Sequence, residues 1–228
     1  MSISVLAFIP ARGGSKALPN KNLLLLNGKP LIDYTINVAQ DSRLFDRIVV
    51  STDSSAIAER AISASVEVHN RPTHLSTDTS RVVDAVVHAS EELNLNQNDI
   101  VCVLQPTSPL RKASQVTGAV RKTIETGHPV ISVVECEHHP LKSFTLLNGA
   151  IQTMSNRSDL EKSRQDLPKM YRPNGAIYVA SVAAIVKSMS LIPPDALTIE
   201  MSARDSVDID SALDLQVAEY LIQYLPRH

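Results

Sequence analysis

The residues best suited to chemistry lie in a loop rich in glycine and cations, FIPARGGSKALPNKN, at residues 8–22. The loop follows an apolar run at residues 5–9, and its glycines permit tight turns whose consecutive N–H groups form a concave anion site. Within ten positions it carries three cations: Arg12, Lys16 and Lys21. Together they neutralise most of the charge of a triphosphate. The loop therefore predicts a phosphate site, with an ordinary solvated surface loop as the alternative.

A pair of carboxylates in SVDID, at residues 206–210, is the second candidate. Asp208 and Asp210 are two positions apart in an extended segment, so their side chains project to the same side and suit a hard cation such as Mg²⁺. Asp210 or Ser211 is equally suited to cap the helix that follows. The segment alone leaves both interpretations open.

Three further segments offer polar side chains at predicted strand ends: LQPTSPLR at 104–111, YRPNGAIY at 171–178 and VSTDSSAIAE at 50–59. The first two supply candidate substrate contacts at Gln105, Thr107, Ser108, Arg111, Arg172 and Asn174. Turn chemistry and helix capping are the alternative explanations for these residues. In the third segment, Thr52 and Asp53 are predicted to cap the next helix.

Several common catalytic patterns do not occur in the sequence. The glycine loop has neither the Walker A spacing nor the G-x-G-x-x-G dinucleotide spacing. The adjacent His138 and His139 lack the partner spacing of a zinc site, and no G-x-S-x-G hydrolase motif is present. These patterns therefore support neither a P-loop protein, a zinc site nor a serine hydrolase.

The elements that must position these residues alternate between short β-rich apolar runs and longer amphipathic segments, which predicts βαβ units around a mainly parallel sheet. The predicted strands are 5–9, 47–51, 66–69, 100–104 and 130–134, and then 175–181 and 196–200. The predicted helices are 30–39, 54–64, 79–93, 113–125, 182–188 and 211–224. Right-handed crossovers place these helices on both faces of the sheet and bring the strand C-termini to one edge, where a ligand is expected.

The region at about 136–172 breaks this alternation. It contains short strand-like pieces, scattered cations and an Asn-Gly turn at Asn148 and Gly149. We interpret it as an excursion from a single α/β domain that spans residues 1–228.

Composition limits the classes of protein that the chain can represent. Its 228 residues suit one large domain, and 43% hydrophobic with 20% charged residues is the balance of a soluble globular protein. A net charge of −2 gives no indication of a nucleic-acid partner. Cys102 and Cys136 lie in apolar surroundings and are predicted to be buried thiols, as in a reducing cytoplasm. The apolar start meets Pro10 too early for a signal peptide, and no 18-residue apolar run predicts a membrane span.

Seven motifs in order resemble those of the acylneuraminate cytidylyltransferases, or CMP-sialic acid synthetases: IPARGGSKALPNKN, VSTD, RPTHLSTDT, LQPTSPLR, HHPLK, YRPNGAIY and SVDID. The resemblance extends from residue 3 to about residue 220. It implies a Rossmann-like nucleotidyltransferase that joins CTP to the anomeric hydroxyl of a nine-carbon α-keto acid sugar and releases pyrophosphate. It also implies Mg²⁺ as cofactor and a homodimer in which each subunit lends its excursion to its partner.

The same resemblance assigns roles by motif position. It implies a triphosphate site at Arg12, Gly13, Gly14, Ser15, Lys16 and Lys21. Asn22 would lie near the nucleotide and Arg71 near the cytosine and ribose. The sugar site would comprise Gln105, Lys142, Arg164, Arg172, Asn174 and Tyr178. Asp208 and Asp210 would bind the metal, with Arg12, Lys21 and Asp210 acting in catalysis and Asp210 as proton acceptor.

Two alternatives remain open from the sequence. The first is the same transfer to another sugar acid, such as legionaminic, pseudaminic or Kdo-type acids. The second, from a different class, is a non-catalytic nucleotide-binding module that retains the fold. The cation loop and the pair Asp208 and Asp210 favour an enzyme over such a module.

Overall fold

The computed structural model describes residues 3–15 and 18–224. The strands are β1 (Val5–Pro10), β2 (Leu25–Leu26), β3 (Lys29–Pro30), β4 (Arg47–Thr52), β5 (Glu67–Asn70), β6 (Ile100–Val103), β7 (Val130–Glu135), β8 (Phe144–Leu147), β9 (Ala150–Thr153), β10 (Tyr171–Ser181) and β11 (Leu197–Glu200). The helices are α1 (Leu31–Ser42), α2 (Ser55–Ser63), α3 (Val82–Glu92), α4 (Ala113–Thr126), α5 (Val182–Ser188) and α6 (Ala212–Tyr224). None of the helices in these ranges is long and apolar enough to cross a membrane.

The main sheet has seven strands in the order β11-β7-β10-β6-β1-β4-β5. β1 runs parallel to both of its neighbours, β4 and β6, and β5 and β11 are also parallel to the strands they pair with. Only β10 runs antiparallel to its two neighbours in this sheet. The predicted mainly parallel α/β sheet is therefore confirmed.

Alternation along β1 explains why helices cover both faces of the sheet. Val5, Ala7 and Ile9 pack in one apolar cluster with residues of α1, α2 and α4. Leu6 and Phe8 point the other way and pack with α3 and α5. Because successive side chains of a strand point to opposite faces, a continuous apolar run is what a strand buried on both sides requires.

Parallel pairing brings the C-terminal ends of β1, β4 and β6 to the same edge of the sheet. β10 reaches that edge with its first residues, because Tyr171 pairs with Glu135 at the end of β7. The register of β10 shifts between Pro173 and Tyr178, which marks a bulge at this edge. The strand is longer than the predicted 175–181, since the pairing continues through the proline.

The excursion forms its own two-stranded sheet of β8 and β9, separate from the main sheet. Asn148 and Gly149 connect the two strands with φ of 50° and 80°, as in a tight hairpin turn. This confirms the Asn-Gly turn. Several large apolar side chains of the hairpin are exposed: Phe144, Leu146, Leu147 and Ile151.

One helix begins later than predicted. α3 starts at Val82 rather than at residue 79, because a turn precedes it. The Ser80 side chain accepts a hydrogen bond from the Thr77 backbone N–H at 3.0 Å, and the Ser80 N–H donates to the Thr77 carbonyl. Side-chain bonds of this kind compete with helical hydrogen bonds.

Candidate active site

The glycine loop is held against the end of β4 by its own backbone. The N–H of Gly13 donates to Oδ1 of Asp53 at 2.8 Å. A Cβ at position 13 would lie 2.9 Å from Cβ of Ser54, which explains why glycine is required there. The predicted capping role of Asp53 is therefore wrong, because its carboxylate binds the loop. The predicted capping role of Thr52 is wrong as well: its hydroxyl accepts a hydrogen bond from the N–H of Ser54, and the N-cap residue of α2, Ser54, makes no side-chain capping hydrogen bond.

The two described cations of the loop region each pair with a carboxylate. Arg12 lies 3.0 Å from Oδ1 of Asp78, and Nζ of Lys21 lies 2.9 Å from Oδ1 of Asp210. Asn22 is buried and donates to the Arg12 carbonyl at 2.9 Å, so it fixes the backbone from which Arg12 projects. Gly14 is exposed and Ser15 partly exposed, whereas the predicted contact Lys16 lies outside the described residues.

Arg71 is held rigidly at the end of β5. Its Nε donates to Oγ of Ser51 at 3.0 Å, and a second guanidinium nitrogen donates to the Ser51 carbonyl at 2.8 Å. Burial lowers the pKa of Arg71 to about 10, so the guanidinium stays charged at neutral pH. A fixed positive charge therefore lies beside the loop.

These residues share one cleft at the edge of the sheet. Six predicted site residues line it: Arg12, Lys21, Asn22, Arg71, Gln105 and Thr107. The cleft wall also includes Asp78. Three segments far apart in sequence, at residues 10–22, 71–82 and 105–107, thus meet where the parallel strands end, which is where ligands bind in open α/β sheets.

Asp208 and Asp210 differ in environment. The side chain of Asp210 is 75% exposed and pairs with Lys21, whereas Asp208 is partly buried. Burial raises the pKa of Asp208, a hydrogen bond from the Thr107 side chain opposes this rise, and the Asp210 charge adds to it. Among the described residues, no hydrogen-bond partner satisfies the buried Oδ1 of Asp208. A buried carboxylate oxygen without a partner, beside a second carboxylate, fits a hard divalent cation such as Mg²⁺.

The start of α6 shows which residue of this segment caps the helix. Ser211 accepts a hydrogen bond from the N–H of Asp214, and the Asp214 carboxylate accepts one from the N–H of Ser211. This reciprocal pair is a capping arrangement. Because Ser211 caps the helix, the side chain of Asp210 is left to face Lys21.

The bulge of β10 brings a glycine between two predicted site residues. Gly175 has φ of +77°, and a Cβ there would lie 3.3 Å from Oε1 of Gln105 and 3.9 Å from Oδ2 of Asp208. Glycine therefore allows the β10 backbone to approach both side chains. Tyr178 follows on the same strand, and burial raises its pKa, with the Asp208 charge adding to the rise.

Two candidates in the LQPTSPLR segment turn away from the cleft. Ser108 and Arg111 are completely buried. Arg111 donates to the carbonyls of Gln105 and Ala176 and to Oγ1 of Thr35. Their predicted substrate contacts are therefore wrong: Arg111 anchors the loop that carries Gln105, and its pKa is lowered to about 10 by burial, which leaves it charged.

Asn174 is also buried, with 2% of its surface exposed. Its amide oxygen accepts from Ser132 and from the N–H of Ala176, while its amide nitrogen donates to Ser206 at 2.8 Å. With both ends of the amide bonded in the core, Asn174 shapes the bulge and does not present a free group to a sugar. A polar side chain near the sheet edge can point into the core or into the cleft, and the sequence alone did not distinguish these two directions.

The remaining predicted sugar contacts lie around the excursion. Arg172 is exposed on β10, and its positive charge partly offsets the rise that burial causes in the pKa of Asp208. Arg164 donates to the Cys136 carbonyl at 2.7 Å, and Lys142 is partly exposed in the turn at 140–142. Within the described part of the chain, neither Lys142 nor Arg164 bonds to a residue of the cleft. Cys102 and Cys136 are buried thiols, as predicted.

The sheet order, the helices on both faces and the cleft beyond the strand ends define a Rossmann-like nucleotidyltransferase fold. The fold is similar to that of CMP:2-keto-3-deoxy-manno-octonic acid synthetase, solved as a complex with CTP, with a TM-score of 0.71 at 18% identity over 96% of this chain and 98% of that one. Residues 6–200 match the family model described as cytidylyltransferase. The chain belongs to the cytidylyltransferase family.

Two relatives illustrate its place in the family. It is 37% identical over 226 residues to the CMP-N,N'-diacetyllegionaminic acid synthase of Legionella pneumophila, covering 96% of each chain. It is 35% identical over 214 residues to the N-acylneuraminate cytidylyltransferase of Streptococcus agalactiae, covering 92% of this chain and 51% of that protein. The chain thus spans about half the length of the N-acylneuraminate relative.

Proposed function

We propose that the protein transfers CMP from CTP to the anomeric hydroxyl of a nonulosonic acid and releases pyrophosphate. The observation that carries this proposal is the convergence of Arg12, Lys21 and Arg71 in one cleft of a cytidylyltransferase fold, with Asp210 paired to Lys21 and Asp208 bonded to Thr107 of the cleft wall. Clustered cations next to a carboxylate pair are what nucleotidyl transfer requires, since that reaction depends mostly on positioning and charge stabilisation.

In this proposal, the triphosphate of the nucleotide lies against the glycine loop. Arg12 and Lys21, with Lys16 and the backbone of Gly14 and Ser15, bind the phosphates and stabilise the charge that develops on the leaving pyrophosphate. The N–H of Gly13 instead holds the loop in place through Asp53. Asn22 acts through Arg12, whose carbonyl it holds. Arg71 lies near the base and ribose. Its two hydrogen bonds to Ser51 fix the guanidinium, so it can orient the nucleoside.

Asp208 and Asp210 are the residues that would hold Mg²⁺. The fit rests on the unpartnered Oδ1 of Asp208 and on the second carboxylate two residues away. When bound, the ion neutralises phosphate charge and lowers the pKa of the attacking hydroxyl. Asp210 accepts the proton of that hydroxyl, and its ion pair with Lys21, 2.9 Å away, links it to the phosphate site.

The sugar acid enters from the β10 side of the cleft in this proposal. Gln105, Arg172 and Tyr178 contact it there. Lys142 and Arg164 supply the positive charge for its carboxylate, and both belong to the excursion, which we propose serves the site of a second subunit. The exposed apolar hairpin supports this homodimer, since exposed apolar patches mark interaction sites.

N-acylneuraminate is the first candidate for the sugar, on the motif order described above. N,N'-diacetyllegionaminate is the second, because the legionaminate relative matches this chain over 96% of both lengths, whereas the N-acylneuraminate relative is about twice as long. Both are acidic nine-carbon sugars, so the same cations serve either. The two sugars differ in their substituents, so contacts to those substituents decide between them.

Pyrophosphate release is the test of this function. The protein is assayed with CTP and each other NTP against N-acylneuraminate, diacetyllegionaminate, pseudaminate and Kdo, with and without Mg²⁺. We expect CTP-specific, Mg²⁺-dependent turnover with one nonulosonate at least tenfold above the others. Turnover with none of the acids, combined with CTP binding, would favour the non-catalytic nucleotide-binding module.

A further inference from the structure

A cluster of metal-ligating side chains adjoins the residues that hold Arg71. His69 from β5 and His88 and Glu92 from α3 present ligand atoms that all lie within 4.8 Å of one another. Nε2 of His69 lies 3.1 Å from Nδ1 of His88 and 3.2 Å from Oε2 of Glu92. His88 and Glu92 are four positions apart on a helix, so they share a face and both reach toward the strand.

These distances suit a tetrahedral ion. Zinc bonds to nitrogen and oxygen of about 2.0–2.1 Å place neighbouring ligand atoms roughly 3.3 Å apart, close to the two distances from His69. Two imidazoles and one carboxylate form a zinc ligand set, whereas Mg²⁺ prefers oxygen ligands alone. The His69 side chain is 1% exposed and that of Glu92 is 53% exposed, so the site is anchored in the interior and open to solvent on one side.

The second ring nitrogen of His69 has a partner of its own. Nδ1 lies 2.8 Å from Oγ of Ser51, the hydroxyl that also accepts from Nε of Arg71. A ligating histidine commonly donates its other N–H to such an oxygen, which directs the lone pair of the first nitrogen to the metal. Burial also lowers the pKa of His69, which favours the neutral ring that ligation needs.

We propose that His69, His88 and Glu92 bind one divalent transition-metal ion of the Zn²⁺ class, at a site distinct from the carboxylates Asp208 and Asp210. A solvent water completes its coordination. The ion links β5 to α3. Because the Ser51 hydroxyl of β4 bonds to both His69 and Arg71, the ion also helps to fix the position of Arg71. Its role is therefore to stabilise and position, and it takes no part in the transfer reaction.

The test is a titration of the full chain, stripped with a chelator, with Co²⁺ in buffer free of Mg²⁺ and nucleotide. We expect one Co²⁺ per chain, detected by the visible absorption of a tetrahedral ion, and Zn²⁺ that displaces it. His88→Ala is expected to weaken binding about 100-fold or more, and Glu92→Gln to weaken it to a smaller extent. Zn²⁺ should raise the Tm of the native chain but not that of His88→Ala.

Two controls make the outcome decisive. His128→Ala removes an exposed histidine elsewhere and should leave Co²⁺ binding unchanged. Asp208→Asn removes a carboxylate of the other site and should also leave it unchanged. A native chain that binds no Co²⁺, or binds it no more tightly than His88→Ala, overturns the proposal, because hydrogen bonds from His69 to His88 and Glu92 then account for the cluster. Loss of binding in Asp208→Asn overturns it equally.

Discussion

Single residues decide how charge is arranged in the cleft. Arg12 and Lys21 are cations that a phosphate loop is expected to supply, and the structure adds their resting partners, Asp78 and Asp210. Sequence motifs predicted the cations because glycine and basic residues cluster within one short loop. They did not predict that Asp53 bonds to the Gly13 N–H or that Asp78 pairs with Arg12, because contacts between residues far apart in sequence leave no local pattern.

Lys21→Ala is expected to lower kcat by about 100-fold or more, because removing a charge that stabilises the transition state costs about that much. The fold should persist, since Lys21 forms an ion pair with the exposed Asp210 rather than packing in the core. Pyrophosphate release at saturating CTP and the thermal midpoint Tm measure the two effects. Lys187→Ala, an exposed lysine on α5, is the matched control. Unchanged kcat in Lys21→Ala would remove this residue from the triphosphate site.

Asp208→Asn is expected to stabilise the metal-free protein while abolishing turnover. Burial raises the pKa of Asp208 above its ordinary 3.8, so the folded state holds this proton more tightly than the unfolded state. Stability is therefore lost as pH rises from the unfolded pKa through the higher folded pKa, and the asparagine removes that loss. We expect a Tm roughly 1–3 °C above the native value at pH 7 without Mg²⁺, and no such gain below the unfolded pKa.

With Mg²⁺ present, the native protein should become more stable than the Asp208→Asn variant. A cation that binds Asp208 only in the folded state raises the Tm of the native protein with concentration. The Asp208→Asn variant should show little of this increase. Equal Mg²⁺ responses of the two proteins would show that Asp208 is not a metal ligand.

At the scale of elements, the bulge of β10 lies against the loop after β6, which lines the cleft. Arg111 joins them, because it donates to the carbonyls of Gln105 and Ala176 at once. The sequence placed both segments at the sheet edge correctly. It did not show that Arg111 and Asn174 point inward, since the direction of a side chain in an irregular segment depends on packing that no periodicity records.

Arg111→Met is expected to destabilise the protein by about 2–4 kcal/mol. The substitution fills a similar volume but leaves the buried Ala176 carbonyl and Thr35 hydroxyl without the Arg111 donor, and each such loss costs about 1–3 kcal/mol. Urea unfolding measures the change, and Arg121→Met on the exposed face of α4 is the control. Because the Gln105 loop loses its anchor, KM for the sugar should rise more than KM for CTP. Equal stability of the two variants would contradict the anchoring role.

For the whole molecule, hydrophobic periodicity predicted the sheet and the two helical layers because each β1 side chain must be buried on one face or the other. The excursion was recognised by the failure of that periodicity. Its surface was not: four large apolar side chains of β8 and β9 are exposed in the single chain, where nothing in the described structure covers them. Lys142 and Arg164 do not reach the described residues of the cleft in their own chain. In a dimer that covers this hairpin, they would reach the cleft of the second copy.

Leu146→Glu tests the proposed dimer. Leu146 is 68% exposed on β8, so the substitution should leave the monomer folded while placing a charge in an apolar interface. We expect the native chain to be a dimer by light scattering at micromolar concentration, and the variant to dissociate at least about 100-fold more readily, with a rise in KM for the sugar acid. Ile62→Glu, at 65% exposure on α2, provides an equally exposed apolar control that should remain dimeric. A native monomer with full activity would show that each cleft is complete within one chain, and that Lys142 and Arg164 serve no partner site.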